Sequence, residues 1–231
     1  MKSTITGWGK CAPDNIMTND DLAVFVDTSD EWIQQRTGIQ ERRFCHVNNS
    51  DMASVAGQHA IACAGLTPED IDVVILATCT PDSIVPSAAA HVQRKLGAVN
   101  ASVYDINAAC AGFVYALEQG KAFVESGLYK RALVRWTFDG QEIFKGGIRA
   151  MATASDEVIT KSGLTKEDID LLIPHQANLR IVEGLEKMLG LPNATTIKKV
   201  HKYGNTSAAS IPTALVDALE EGEIKGGEVA I

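Results

Sequence analysis

One segment of this chain occurs twice. Residues 65–75 have the sequence GLTPEDIDVVI and residues 163–173 have GLTKEDIDLLI, so eight of eleven positions are identical at an offset of 98. The same offset relates further residues: Asn107 and Asn205, Ala116-Leu117 and Ala214-Leu215, and Ala132 and Ala230. A constant offset over roughly 70 residues indicates a duplicated structural unit.

Each copy has the same predicted order of elements: helix, strand, helix, then strand, elbow, helix and strand. The first three elements are predicted at 51–64, 71–77 and 86–96 in one copy, and at 150–162, 169–174 and 178–189 in the other. The continuous apolar runs VVIL and LLI are typical of parallel strands that helices cover on both faces. We therefore expect two similar α/β halves, residues 1–135 and 136–231.

Cys110 lies where a predicted strand meets a predicted helix, within SVYDINAACAGFVYALEQG at 102–120. Free backbone N–H groups and the positive end of a helix dipole favour the thiolate, which is the nucleophilic form of cysteine. The small neighbours Ala109, Ala111 and Gly112 leave room for a substrate carbonyl. A buried cysteine that packs a helix start is the alternative for Cys110 taken alone.

Two polar residues of the second half are predicted to converge with Cys110. His175 follows the strand at 169–174, at a carboxyl end where α/β sheets carry ligands. Asn205 lies in the second copy of the elbow, in KYGNTSAAS at 202–210. If a pseudo-twofold axis relates the halves, the two elbows face each other. For His175 alone, a surface or helix-capping histidine is the alternative.

The segment DTSDEW at 27–32 predicts a helix start with Thr28 and Glu31 at capping-box spacing, and Gly38 as the stop. Trp32 and Arg36 then lie one turn apart on one face. An indole and a guanidinium placed in this way can hold a flat heterocycle such as adenine. An equally weighted alternative is that Arg36 lies over Trp32 on the protein surface and that the two side chains bind no ligand.

Composition excludes several classes of protein. The five cysteines are odd in number and form no C-x-x-C pair, which argues against a disulfide framework or a zinc site. The net charge of −8 argues against a nucleic-acid partner. No apolar run is long enough to span a membrane and no secretory leader is evident, so we expect a cytoplasmic protein.

Three motifs carry a family resemblance: DINAACAGF around Cys110, PHQANLR around His175 and GNTSAAS around Asn205. They resemble the active-site motifs of the thiolase-fold condensing enzymes, and most closely those of the β-ketoacyl-acyl-carrier-protein synthase III family, which initiates type II fatty acid synthesis. TSDEWI at 28–33 and RTGI at 36–39 also resemble that family. The resemblance spans nearly the whole chain and implies a thiolase-like α/β fold with αβαβα layers.

The resemblance also implies a chemistry. Cys110 would accept an acetyl or other short acyl group from acyl-coenzyme A, which is a substrate here. His175 and Asn205 would stabilise the enolate formed by decarboxylation of malonyl-acyl carrier protein, and the carbanion would attack the acyl-enzyme. Neither a metal nor a redox cofactor is implied.

Further roles follow from the resemblance alone. Thr28, Trp32 and Arg36 resemble contacts to coenzyme A, and Arg180 resembles a contact to the carrier protein. The family is homodimeric, and Val85 occupies the position expected to reach the acyl pocket of the partner. A smaller residue there predicts more room for the acyl group.

The chain is short for this family, by something on the order of 80 residues. The repeat predicts that both halves lack their last strands, one after residues 131–134 and one after residue 231. Three function classes remain open: the initiating condensing enzyme, a related acyltransferase or condensing enzyme of secondary metabolism with another donor or acceptor, and a carrier-binding remnant without activity. A cysteine hydrolase is disfavoured because His175 and Asn205 suit decarboxylation.

Overall fold

The computed structural model of the protein describes residues 2–137 and 146–231. The described residues fall into two compact units. The first contains residues 2–13, 45–137 and 207–209, and the second contains residues 14–44, 146–206 and 210–231. These units are defined by contacts between residues. The halves 1–135 and 136–231 are inferred from the sequence repeat, and they stay a prediction.

The described helices and strands alternate along most of the chain. The α-helices are α1 (Asn19–Ala23), α2 (Asp30–Thr37), α3 (Asn49–Cys63), α4 (Ala88–Leu96), α5 (Gly112–Glu125), α6 (Gly146–Lys161), α7 (Leu179–Leu189), α8 (Val200–Tyr203) and α9 (Ser210–Glu220). The β-strands are β1 (Ile16–Thr18), β2 (Glu41–Arg43), β3 (Val73–Thr78), β4 (Ser102–Ile106), β5 (Ala132–Thr137), β6 (Leu171–Leu172) and β7 (Thr195–Thr196). Within the two described ranges, no helix is both long and apolar enough to cross a membrane.

A parallel sheet with strand order β4-β3-β5 forms the centre of the first unit. All residues of β3 are buried, as expected for a strand covered on both faces. Val74 and Leu76 of β3 belong to one apolar cluster with Ile61 of α3 and Val92 of α4. Because the strands are parallel, the carboxyl ends of β3 and β4 lie at one edge of the sheet, where the chain turns towards Cys110.

The second unit repeats part of this arrangement. Strand β6 pairs in parallel with β7, and Leu171 of β6 forms a parallel bridge to Ala230. In the first unit, Val73 pairs with Ala132. Leu171 and Ala230 lie 98 positions after Val73 and Ala132. The offset found in the sequence therefore also relates this one pairing in the two sheets.

The segment before the second elbow differs in one respect from its counterpart before Cys110. The predicted strand is present as β7, which pairs in parallel with β6 as β4 pairs with β3, but the short helix α8 follows it before the elbow. The Tyr203 hydroxyl of α8 donates to Asp217 of α9 at 3.1 Å, and Lys202 Nζ lies 3.0 Å from the same carboxylate. Asp217 is fully buried, so these tertiary bonds stabilise α8 in its place.

The predicted shortfall after residues 131–134 concerns a stretch that begins at Trp136, whereas β5 continues through Trp136 to Thr137. Residues 138–145 of this stretch lie outside the described residues. The described chain continues with α6 from Gly146, close to the helix predicted at 150–162.

Candidate active site

Cys110 lies in a sharp turn between β4 and α5. A single 3₁₀ turn, Ala109–Ala111, precedes the helix, so the cysteine comes just before the first turn of α5 and not within it. Ala109 adopts a positive φ of 45°, which is uncommon for a residue with a side chain. The turn leaves the Cys110 side chain exposed. A nucleophile placed in this way is accessible to a substrate carbonyl.

The small residue Gly112 allows this turn to lie close to the sheet. A Cβ atom at Gly112 would lie 3.0 Å from Cβ of Ala77 on β3. Such a contact is tighter than ordinary van der Waals packing, so a larger residue would displace the start of α5. The sequence pattern of small residues around Cys110 thus serves packing as well as access.

The hydroxyl of Ser207 donates a hydrogen bond to Cys110 Sγ at 3.1 Å. Ser207 belongs to the same compact unit as Cys110, is 1% exposed, and has a positive φ of 49°. The prediction that the two elbows face each other is confirmed at this contact. Sequence reasoning assigned Ser207 no role, although the offset of 98 aligns it with Ala109, which is the other non-glycine residue with positive φ in the described part of the chain.

His175 follows β6 in the second unit and is largely buried. Its Nδ1 atom lies 2.5 Å from Oγ of Ser210, the first residue of α9. Burial lowers the pKa of His175 from 6.5 to about 4, because desolvation disfavours the imidazolium ion. His175 is therefore neutral near pH 7, and a neutral imidazole can donate one hydrogen bond.

The loop that carries His175 is fixed by its neighbour Gln176, which is 2% exposed. The Gln176 amide nitrogen donates to the carbonyls of Pro174 at 2.8 Å and Ile197 at 3.1 Å. Its amide oxygen accepts from the backbone N–H of Lys199 at 2.8 Å. A side chain with these three bonds holds the loop in a single conformation. Sequence reasoning missed Gln176 as well as Ser210.

Asn205 also lies in the second unit, directly after Tyr203 and Gly204. Gly204 has a positive φ of 67°, and a Cβ atom there would lie 3.6 Å from Ile39. The bond from the Tyr203 hydroxyl to buried Asp217 anchors the residues that precede Asn205. Asn205 is partly buried. The convergence of Cys110, His175 and Asn205 on one substrate stays a prediction, since Cys110 belongs to the first unit and the other two to the second.

Trp32 and Arg36 lie on α2 as the spacing predicts. The Arg36 guanidinium carbon is 5.7 Å from the centre of the Trp32 ring, and both side chains are exposed. Gly38 ends the helix with a φ of 73°, which confirms the predicted stop. The predicted cap is wrong by one residue: Ser29 Oγ, and not Thr28, accepts the Trp32 N–H at 3.1 Å. Thr28 is partly buried just before this cap.

Arg180 lies in the first turn of α7 and is exposed. Asn178 caps this helix by accepting the Arg180 N–H at 2.8 Å. The same side chain donates to the backbone carbonyl of Arg36 at 3.0 Å. One amide thus fixes the start of α7 to the last turn of α2, and both helices carry an exposed arginine.

Val85 of the first unit is 84% exposed, and its neighbour Ile84 is 91% exposed. The two residues are adjacent, and contiguous exposed apolar surface is typical of protein interfaces. In the parts of the chain that are described, no group of three or more His, Cys, Asp or Glu residues has the arrangement of a metal site.

Two family models match the chain. The model of 3-oxoacyl-[acyl-carrier-protein (ACP)] synthase III matches residues 104–135, and the model of the C-terminal part of this enzyme matches residues 159–231. The first match contains Cys110, and the second contains His175 and Asn205.

Curated relatives are similar over nearly the whole chain. "Beta-ketoacyl-[acyl-carrier-protein] synthase III 2" of Vibrio cholerae is 40% identical, and the match covers 96% of this chain and 81% of that protein. "Beta-ketoacyl-[acyl-carrier-protein] synthase III" of Bacillus pumilus is also 40% identical, with coverage of 100% and 94%. The alignment with the Bacillus pumilus protein runs over 293 positions, 62 more than the 231 residues of this chain. That relative therefore has internal segments without a counterpart here.

A solved structure has the same fold. The crystal structure of 3-oxoacyl-[acyl-carrier-protein] synthase III from Aquifex aeolicus is 35% identical in sequence and superposes with a TM-score of 0.90. The superposition covers 98% of this chain and 93% of that structure. The predicted thiolase-like α/β fold is thereby confirmed.

Proposed function

The chain belongs to the β-ketoacyl-[acyl-carrier-protein] synthase III family, and we propose that Cys110, His175 and Asn205 divide its two half-reactions between them. A member of this family is an acyltransferase, the initiating condensing enzyme of fatty acid synthesis. The residues described above support specific roles in that reaction.

In the first half-reaction, the thiolate of Cys110 attacks the carbonyl carbon of acetyl-coenzyme A or another short acyl-coenzyme A. The carbon–sulfur bond to coenzyme A breaks, and the acyl group stays on Cys110 as a thioester. One thioester replaces another, so the step depends mainly on a reactive thiolate. The hydrogen bond from Ser207 supports this role, because it holds the Cys110 sulfur in a defined position.

In the second half-reaction, malonyl-acyl carrier protein loses carbon dioxide and the electron pair of the broken bond forms an enolate. His175 and Asn205 donate hydrogen bonds to the thioester oxygen, where the negative charge develops. The carbanion then attacks the acyl carbon on Cys110. The Cys110 thiolate leaves, and a 3-ketoacyl-acyl carrier protein is formed.

The observation that carries this assignment is the burial of His175. Its pKa of about 4 keeps the imidazole neutral near pH 7. A neutral imidazole with Nδ1 engaged by Ser210 has Nε2 left for a substrate. A preorganised neutral donor stabilises an enolate without transferring its proton, as decarboxylative condensation requires.

The substrates are proposed to bind on separate surfaces. Trp32 and Arg36, with Thr28 beside them, would hold the adenine and phosphates of coenzyme A. Arg180 would contact the acidic acyl carrier protein, and its exposure supports this. The exposure of Val85 supports a homodimer in which this residue reaches the acyl pocket of the partner. We propose that the enzyme is cytoplasmic. We also propose that it needs no redox cofactor, since no step of the reaction transfers electrons to or from a cofactor.

The test is the mass of the intact protein before and after incubation with acetyl-coenzyme A. We expect the chain to gain one acetyl group, and we expect Cys110→Ser to gain none. Cys63→Ser is the matched control, because Cys63 is also an exposed free cysteine and should not affect the acetyl gain. Addition of malonyl-acyl carrier protein should then release carbon dioxide and remove the acetyl group. An acetyl gain that survives Cys110→Ser, or no gain at all, contradicts the proposal.

A further inference from the structure

Ser210 makes two contacts to the loop that carries His175. Its Oγ atom lies 2.5 Å from Nδ1 of His175 and accepts the backbone N–H of Gln176 at 3.1 Å. Ser210 is 2% exposed, so its hydroxyl is removed from bulk water. The hydrogen bonds of this hydroxyl must therefore be satisfied by the protein.

The position of the hydroxyl proton determines whether Ser210 or His175 is the donor in the hydrogen bond between them. A serine hydroxyl has one proton to donate and two lone pairs that accept. The N–H of Gln176 uses one lone pair. If Ser210 donates to Nδ1, its proton is bonded and the imidazole carries its own proton on Nε2. In the opposite tautomer, His175 would donate to Ser210 and the hydroxyl proton would need another buried acceptor.

We infer that Ser210 is a positioning residue that holds His175 in the tautomer with its proton on Nε2. The inference rests on the proposed function in one respect: an Nε2–H group is the donor that the enolate oxygen of the malonyl thioester requires. In the other tautomer, Nε2 would present a lone pair to a developing negative charge. Ser210 thus acts through His175 and does not touch the substrate.

The duplication supports the same contact independently. Ser210 and His175 lie 98 positions after Gly112 and Ala77. A Cβ atom at Gly112 would lie 3.0 Å from Cβ of Ala77, so the same two positions meet in the first unit. There the pair is a close contact between a glycine and an alanine, and in the second unit it is a hydrogen bond between a serine and a histidine. The fold brings these two positions close together in both units, and in the second unit the residues at these positions form a polar contact.

The tautomer can be measured directly by NMR on protein labelled with ¹⁵N-histidine at pH 7. The signal of His175 is identified by its absence in His175→Gln. We expect the Nε2–H tautomer in the unchanged protein and a substantial Nδ1–H population in Ser210→Ala. If the unchanged protein has its proton on Nδ1, the inference is wrong, whether or not any variant folds.

The second readout is the release of carbon dioxide from malonyl-acyl carrier protein. Ser210→Ala should lower its rate by roughly tenfold or more, because part of the enolate stabilisation is lost. Ser210→Thr keeps the hydroxyl and should restore both the tautomer and most of the rate. Ser54→Ala is the matched control: Ser54 is also buried and donates to the carbonyl of Ser50 at 2.6 Å, but this hydrogen bond lies within α3.

A double-mutant cycle separates positioning from a merely structural role. In a His175→Ala background, Ser210→Ala should cause no further loss of decarboxylation, because its effect passes through the imidazole. An equal loss in both backgrounds would mean that Ser210 only stabilises the fold, and would overturn the inference. If the unchanged protein releases no carbon dioxide, the proposed function fails, while the NMR measurement still decides the role of Ser210.

Discussion

The hydroxyl of Ser207 lies 3.1 Å from the sulfur of Cys110, although 97 residues separate them in the chain. Ser207 and Ala109, the residue before Cys110, occupy corresponding positions of the duplicated elbow and both have a positive φ. A backbone conformation of this kind is unfavourable for a residue with a side chain. Both copies of the elbow therefore contain the same strained position, and in the second copy this position donates the hydrogen bond to Cys110.

Replacement of Ser207 by Ala should slow the acylation of Cys110. The hydroxyl donates to the sulfur, and a hydrogen bond of this kind contributes about 0.5–1.5 kcal/mol, so we expect roughly a 2- to 10-fold loss. The measurement is the initial rate of acetyl transfer from radiolabelled acetyl-coenzyme A.

Ser207→Gly serves as the companion variant. It also lacks the hydroxyl but relieves the strain of a φ of 49°, so it should be more stable than Ser207→Ala and acylate equally slowly. An acylation rate that follows the stability of the variants would assign Ser207 to folding alone.

The stability of the protein should depend on pH through His175. The folded chain binds its proton with a pKa of about 4, below the ordinary value of 6.5, so the unfolded chain binds more protons between these values. The free energy of unfolding should therefore fall as the pH is lowered from about 6.5 to about 4. Urea unfolding at a series of pH values measures this slope. His175→Gln should show a smaller decrease over the same range, and an unchanged slope would contradict the burial of a neutral imidazole.

Substitutions in the Trp32–Arg36 pair should weaken the binding of acyl-coenzyme A. Both side chains are exposed and stacked at 5.7 Å, so we expect Trp32→Ala and Arg36→Ala to raise KM by roughly 3- to 10-fold while kcat stays close to normal. Gln35→Ala, an exposed residue of the same helix, is the control. An acyl-pantetheine donor, which lacks the adenine, should be used equally well by all these variants. If the variants and the unchanged protein had equal KM values for acyl-coenzyme A, Trp32 and Arg36 would be an exposed pair that binds no ligand.

Gly38→Ala should destabilise the protein more than Gly163→Ala. Both glycines have a positive φ, but a Cβ atom at Gly38 would lie 2.5 Å from Cβ of Leu179, whereas Gly163 has open space around it. We expect about 1 kcal/mol of lost stability at Gly163 from backbone strain, and a larger loss at Gly38 because α2 must also move away from α7. Chemical unfolding of the two variants tests this, and equal losses would exclude the close approach of the two helices.

Much of the fold follows from local patterns in the chain. The apolar run at 73–76 predicts β3, and the helices predicted at 51–64, 86–96 and 178–189 correspond to α3, α4 and α7 within two residues at each end. Gly38 was identifiable as a helix stop because glycine adopts positive φ without strain. The helix α8 was not predictable in this way, since its conformation depends on the buried carboxylate of Asp217.

The sequence by itself determined the duplication and the family, and it predicted Cys110, His175 and Asn205 as the reacting residues, because each follows from residue types at fixed spacings. Only the tertiary structure decided what surrounds them: Ser207 at the sulfur of Cys110, and Ser210 with Gln176 at the ring of His175. The physical reason is that a hydrogen bond depends on distance and direction between atoms far apart in the chain. Likewise, the low pKa of His175 arises from burial, which no neighbouring residue in the sequence specifies.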